Sequence, residues 1–195
     1  MFLAIIACYT KKDNVWYGVA LQDKEVVATC FSTGEPDLRR LLKRLPQDDG
    51  FHVTDNPNEN LIEVFKKLEE IFNGKSNKAC GLEINIERLS SYAQKVLNCT
   101  GLIPVGYVAT YGGVANVSGG IARSVGGVEA SNPVPLLIPC HRVVRSDLKI
   151  GGYRYGKQTK WEILQRERKG YEEPKTLKIN GKDLVVFPVG WVKQE

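Results

Sequence analysis

Three prolines within seven residues frame the segment Asn132-Pro133-Val134-Pro135-Leu136-Leu137-Ile138-Pro139-Cys140-His141-Arg142. Each proline lacks a backbone N–H, fixes its own φ and biases its predecessor toward extended conformations, so neither a helix nor a central strand can run through this stretch. The spacing predicts a rigid, non-helical strap that ends on an adjacent cysteine–histidine pair. Whatever the rest of the chain builds, it must hold that pair on a stiff support.

Upstream, residues 2–9, 15–21 and 25–32 are apolar, β-branched and aromatic. They are broken at Lys11-Lys12-Asp13-Asn14 and at Asp23-Lys24, the pattern of a three-stranded antiparallel meander. Glu35-Pro36 opens a helix expected to reach Leu45, and residues 46–57, rich in Asp, Pro and Asn, read as a loop. Leu61, Val64, Phe65, Leu68, Ile71 and Phe72 recur at helical spacing and are ended by Asn73-Gly74. Leu82 to Ile86 reads as a further short strand, with a domain boundary placed near residues 80–88. Beyond it, Ser90 to Cys99 is helix-like. Two short helices are expected over about 106–116 and 120–130, separated by Ser118-Gly119-Gly120, which makes a helix-turn-helix candidate. Residues 157–169 read as a charged helix, and Thr176 to Phe187 as a β-hairpin turning at Asn180-Gly181. The fold class expected is α+β: an N-terminal α/β unit over residues 1–85, a mostly helical unit over 86–170, and an extension over 171–195.

Charge separates these regions. Residues 101–170 hold ten basic and four acidic residues, whereas residues 1–100 hold 13 and 14, and residues 171–195 hold four of each. The whole basic excess lies beside the strap, as expected of an anion-facing surface. No apolar run approaches the roughly 18–20 residues of a membrane span, and Phe2 to Cys8 lacks the flanks of a signal peptide. A cytoplasmic setting is expected. The five cysteines have no CxxC spacing, and His52 and His141 are the only histidines, so no metal-ligand cluster is readable and no cofactor is implied.

Taken alone, Cys140-His141 reads as an inert buried thiol beside a solvated imidazole. Its context favours chemistry, because Arg142 and Arg145 flank it and positive neighbours raise the thiolate fraction that a nucleophile needs. Glu167 follows Ile163 by four residues and Leu164 by three, so its carboxylate shares their apolar side and needs a partner. That partner is either a nearby Arg or Lys, or His141, which would complete a Cys–His–Glu relay. Tyr111 shares a stripe with Val108 and Ala115, and Arg123 sits between Ala122 and Ser124. Core packing and a solvated face are their simplest readings.

The strap and the residues after it, through Val144, resemble the active-site signature of O6-alkylguanine-DNA alkyltransferases, the methylated-DNA–protein-cysteine methyltransferases. Thr110-Tyr111-Gly112, Ala122 to Gly127, Gly151-Gly152-Tyr153, Lys160 and Glu167 follow in the family's order, so the resemblance covers roughly residues 88–169. It is looser before residue 88 and absent after residue 170. It implies a ribonuclease H-like N-terminal unit, and a protein that binds duplex DNA through the minor groove, rotates O6-alkylguanine out of the stack and moves the alkyl group to Cys140. By the same resemblance His141, through a water, takes the thiol proton, Glu167 holds His141, and Tyr111 assists base rotation and the leaving guanine. Arg123 fills the vacated stack, with Thr110, Ala122 and Gly126 also at the DNA. Val143, Gly151, Tyr153, Arg154 and Pro135 border the base pocket, and Asn132 braces the turn beside it. A monomer with no membrane association is implied. Other readings stay open at this point. A cysteine hydrolase explains the relay but not the basic helix pair, a lesion sensor would lack the acceptor thiol, and a plain DNA-binding module leaves the Pro-Cys-His-Arg segment unexplained.

Overall fold

The computed structural model describes residues 5–33, 51–75 and 81–194. The helix expected over Glu35–Leu45, residues 46–50 of the expected loop, and Cys80 lie outside the described residues. The first three strands are β1 (Ile5–Lys12), β2 (Val15–Gln22) and β3 (Glu25–Ser32). β1 pairs antiparallel with β2, and β2 with β3. Asp13 and Asn14 both take positive φ, 47° and 63°. That is the two-residue turn whose twist matches paired strands. β2 is central and buried on both faces.

Two expectations for this half need correction. A fourth strand, β4 (Phe51–Val53), pairs parallel with β1, so the sheet order is β3-β2-β1-β4 rather than a three-stranded meander. It lies inside the stretch read as loop because only three residues pair, and the Asp, Pro and Asn around them mask the signal. Leu82–Ile86 is not a strand. It makes one bridge, Ile84 to Val26, with Val26 N–H donating to the Glu83 carbonyl at 2.7 Å and Asn85 N–H to the Val26 carbonyl at 3.0 Å.

Helix α1 (Glu59–Phe72) starts at Asn58, whose side chain accepts from Leu61 N–H at 3.0 Å. All six of its expected apolar positions are buried. Each fully buried side chain of this size is worth about 1.5–3 kcal/mol. They pack with Tyr17, Val19 and Phe31 of the sheet, and the same cluster takes in Val134, Leu136, Leu137 and Ile138 of the strap. The strap is thus part of the N-terminal core. Thr29 ties it further, with its N–H donating to the Pro133 carbonyl at 2.9 Å and its hydroxyl to the Pro135 carbonyl at 2.8 Å.

The second half holds α2 (Ser91–Gly101), α3 (Tyr111–Ser118), α4 (Ala122–Ser131) and α5 (Lys157–Arg166). Alongside these helices this half carries a small sheet. Strands β5 (Tyr107–Thr110), β6 (Val143–Val144), β7 (Lys175–Ile179) and β8 (Lys182–Pro188) form a second sheet of order β6-β5-β8-β7. The helix expected from residue 106 therefore begins only at Tyr111, capped by the Thr110 hydroxyl, which accepts from Gly113 N–H at 3.0 Å. The β7–β8 hairpin pairs with β5 through β8, so residues 175–188 complete the sheet that carries the strap's exit strand β6. α3 and α4 join through Gly119-Gly120, both at positive φ. At Gly120 a Cβ would also meet the Tyr92 hydroxyl at 2.5 Å, so the turn is held tight on α2. No helix of the described residues is long and apolar enough to cross a membrane.

Candidate active site

The strap reaches Cys140 through a tight knuckle. Leu136 sits at φ 72°, a conformation rare for a branched side chain. Ile138 N–H donates to the Val134 carbonyl at 3.0 Å and Cys140 N–H to the Ile138 carbonyl at 2.8 Å. Asn132 closes the knuckle from both sides. Its amide donates to the Ile138 carbonyl at 2.8 Å, and its side-chain oxygen accepts from Val134 N–H at 3.0 Å. Cys140–Arg142 then form a single 3₁₀ turn leading into β6.

His141 and Arg142 point into the protein, fully buried, and both meet Glu167, also fully buried at the end of α5. Glu167 Oε1 lies 2.9 Å from His141 Nε2 and 2.7 Å from Arg142 Nη2, while Arg142 Nε donates to Oε2 at 2.9 Å. The two partners weighed for Glu167 are therefore not alternatives, since one carboxylate takes both. Burial works against its charge, but His141 and Arg142 overcome that and hold it down at about 2. Arg142 is completed by the Ile103 carbonyl, 2.7 Å from Nη1. An unpaired charge in this place would cost several kcal/mol.

Burial pushes the His141 imidazole below its ordinary value despite the pull of Glu167. The ring is then neutral at pH 7. An ionised carboxylate can only accept, so Nε2 carries the ring proton and donates it to Glu167. Nδ1 is left with a lone pair and has no hydrogen-bond partner among the described residues. A neutral imidazole fixed in this tautomer is a general base next to a cysteine.

Cys140 borders a cavity of about 900 Å³. Of the residues the sequence singles out, Tyr111, Ala122, Arg123, Gly126, Tyr153 and Arg154 line it with Cys140. His141 and Glu167 stand behind Cys140, outside the lining. Thr110 caps α3, Pro135 anchors the strap on Thr29, and Asn132 braces the knuckle; none of the three borders the cavity. Val143 and Gly151 are not among its lining residues either. The Val143 carbonyl accepts from Lys160 Nζ at 2.6 Å. Gly151, at φ +70°, runs where a Cβ would come within 3.4 Å of the Tyr111 ring. Arg123 is exposed on the first turn of α4, among the small residues Ala122 and Ser124.

Lys160, fully buried on α5, stands between the Tyr111 and Tyr153 rings, 5.8 and 5.9 Å from their centroids. Burial pushes its ammonium down to about 8, while the charges of Cys140 and Glu129 pull it back up. The interaction is mutual, so Lys160 favours a thiolate at Cys140. Burial, then the charges of Glu129 and Cys140, push the Tyr111 hydroxyl up to about 12. It keeps its proton and can serve as a donor.

Sequence reasoning missed Glu129 and its partner Thr100. Glu129 follows the buried Val125 by four residues on α4, the same signal that singles out Glu167. It borders the cavity, and Thr100 Oγ1 donates to Oε1 at 2.5 Å.

Comparison with known proteins gives a consistent picture. The family described as 6-O-methylguanine DNA methyltransferase, DNA binding domain, matches residues 91–169. The methylated-DNA–protein-cysteine methyltransferase of Methanothermobacter thermautotrophicus is 45% identical over 78 residues, which is 40% of this chain and 44% of that protein. That of Methanocaldococcus vulcanius is 36% identical over 118 residues, 60% of this chain and 73% of that protein. The match thus spans under half of the first relative and nearly three quarters of the second. The fold resembles that of Mycobacterium tuberculosis OGT in a crystal structure with DNA, with a TM-score of 0.66 at 23% identity, covering 83% of this chain and 92% of that one.

Proposed function

This chain belongs to the methylated-DNA–protein-cysteine methyltransferase family, and from that premise we propose that it repairs duplex DNA by moving the alkyl group of O6-alkylguanine irreversibly to its own Cys140. The observation that carries this reading is a cysteine at a cavity wall, backed by a buried neutral histidine whose other nitrogen is held by Glu167.

The steps follow from the chemistry of these groups. His141 Nδ1, through a water, takes the thiol proton, and Glu167 steadies the imidazolium that results. The Cys140 sulfur, a soft nucleophile, attacks the sp³ carbon in line with the C–O6 bond. Sulfur–carbon forms, carbon–oxygen breaks, and the electron pair stays on the purine. Tyr111 donates a hydrogen bond to the departing base, and Lys160 offsets negative charge nearby. The thioether is beyond thiol exchange, so each molecule acts once, as a suicide enzyme.

DNA engagement is read from the α3–α4 pair. Arg123, exposed at the cavity mouth among small neighbours, would enter from the minor groove and fill the space the rotated base leaves. Thr110, Ala122 and Gly126 would flank it at the DNA, and Tyr153, Arg154, Gly151 and Val143 would border the base. The description of the matching family and the DNA complex of the M. tuberculosis relative support this reading. We further read residues 1–85 as a ribonuclease H-like scaffold, 86–170 as the DNA-binding and acceptor unit, and 171–195 as an extension, in a monomer acting in the cytoplasm.

Intact-mass measurement after incubation with a duplex containing O6-methylguanine tests the proposal. The expected result is one added methyl, mapped to Cys140 and absent from Cys140→Ala. Turnover that leaves the protein unmodified would refute it and point to a cysteine hydrolase.

A further inference from the structure

Glu129 is a buried carboxyl in the reaction cavity to which the steps above give no task. It is 7% exposed and borders the cavity together with Cys140 and Tyr111. Its two oxygens are unlike. Oε1 accepts from the Thr100 hydroxyl of α2, whereas Oε2 is buried and has no partner among the described residues. Leaving such an atom bare in the interior is unfavourable, so a group that keeps it needs a compensating use.

The charge state follows from what surrounds it. A carboxylate here would stand in the field of the Cys140 thiolate and of a purine that becomes anionic as C–O6 breaks. Like charges bordering one cavity oppose one another. A carboxylic acid has no such conflict. With Oε1 engaged as an acceptor, the acid's single proton belongs on Oε2, and the bare atom becomes a donor. Burial pushes Glu129 up to about 7, though the Thr100 hydrogen bond and the Lys160 charge work the other way. Cys99 of α2, Tyr111 of α3 and Lys160 of α5 share its field. Arg123 of its own helix, Arg145 and Arg154 border the same cavity.

We propose that Glu129, as a carboxylic acid, donates a hydrogen bond from Oε2 to a ring nitrogen of the extruded alkylguanine. This rests on the alkyl-transfer reading. It makes Glu129 a second donor beside Tyr111, stabilising the charge that grows on the purine in the transition state. The balance is unchanged: the purine ends with one proton, the thiol has given up one, and Glu129 finishes as it began.

Single-turnover transfer from a saturating O6-methylguanine duplex, followed from pH 5.5 to 8.5 in the wild type, Glu129→Gln and Glu129→Leu, tests this. Above the titration of Glu129 the acid fraction falls roughly tenfold per pH unit. With Glu129 titrating at about 7, the wild-type rate relative to that of Glu129→Gln should drop about fivefold between pH 7 and 8 and more steeply per unit beyond, since the amide keeps a donor at every pH. Glu129→Leu should be slower than Glu129→Gln by about 10²-fold, the usual effect of deleting one transition-state donor. Wild-type and Glu129→Gln profiles that superimpose would overturn the proposal, and this comparison decides the matter even if the leucine variant fails to fold. A wild type that transfers no methyl at any pH would instead overturn the proposed function and this inference with it.

Discussion

The two halves of the molecule bury different things. Among the described residues before Ile86, the buried polar side chain is Thr29, and it serves to hold the strap. Between Thr100 and Glu167 the protein buries Thr100, Glu129, Asn132, His141, Arg142, Lys160 and Glu167. The first half is an apolar frame. The second spends stability on fixed charges and donors, and the strap spans both, with its apolar side chains in one and its cysteine in the other. Preorganised polar groups accelerate chemistry only if they do not move to meet it, so a polar half of this kind needs a rigid apolar one beside it.

The contrast breaks first at Glu167. Glu167→Ala leaves Arg142 and His141 buried without their shared partner, and about 3–5 kcal/mol of stability should go, read by urea unfolding, together with most of the alkyl transfer. Ile5→Ala probes the other half. Ile5 is fully buried in a cluster of sheet residues that excludes the strap, so the cavity should cost about 2–5 kcal/mol yet leave the transfer rate of folded molecules unchanged. A rate that fell with stability would show that the frame does more than support.

Acid sharpens the same contrast. His141 is held below its ordinary value, so its contribution is present above about pH 6.5 and is lost as pH falls through the folded value. Glu167, held at about 2, adds a loss below about pH 4.5. Glu129, raised to about 7, acts oppositely: its contribution is full below the ordinary carboxylate value and fades as pH rises through 7. Glu129→Gln should therefore lose melting temperature more steeply than the wild type between pH 7 and 5, measured by calorimetry. The smallest effect belongs to the tie between the halves. Thr29→Val removes one hydrogen bond to the Pro135 carbonyl and should cost about 1 kcal/mol, with a slower transfer if the strap loosens.

What the residues declare in advance follows the range over which each signal acts. α1 is legible because its six apolar positions repeat locally, and the strap because proline constrains its own neighbourhood. β5 is not, because Val108 and Ala109 continue the spacing of Val114 and Ala115 into one apparent helix. What makes Tyr107–Thr110 a strand is pairing with β6 and β8, far along the chain. β4 is hidden for the same reason, its three residues being extended only because the β1 edge is there. In the site, Cys140, His141 and Glu167 stand out by adjacency and helical phase. Arg142 as the second partner of Glu167 does not, since nothing local says that a guanidinium beside a catalytic pair turns inward. Glu129 carries a readable phase signal, but it competes with the tendency of an acidic residue on a short helix to face water.

The pairing of β8 with β5 has a consequence for how the protein comes into being. Cys140 and its relay leave the ribosome before residues 182–188, which close the sheet behind them. Until that late strand arrives, β5 presents an open edge and the thiol stands on an unfinished wall. Formation of the site is thus timed by a contact between distant segments, a slow kind to close. In that order of events Cys140 gains its complete setting only after the β7–β8 hairpin has been made.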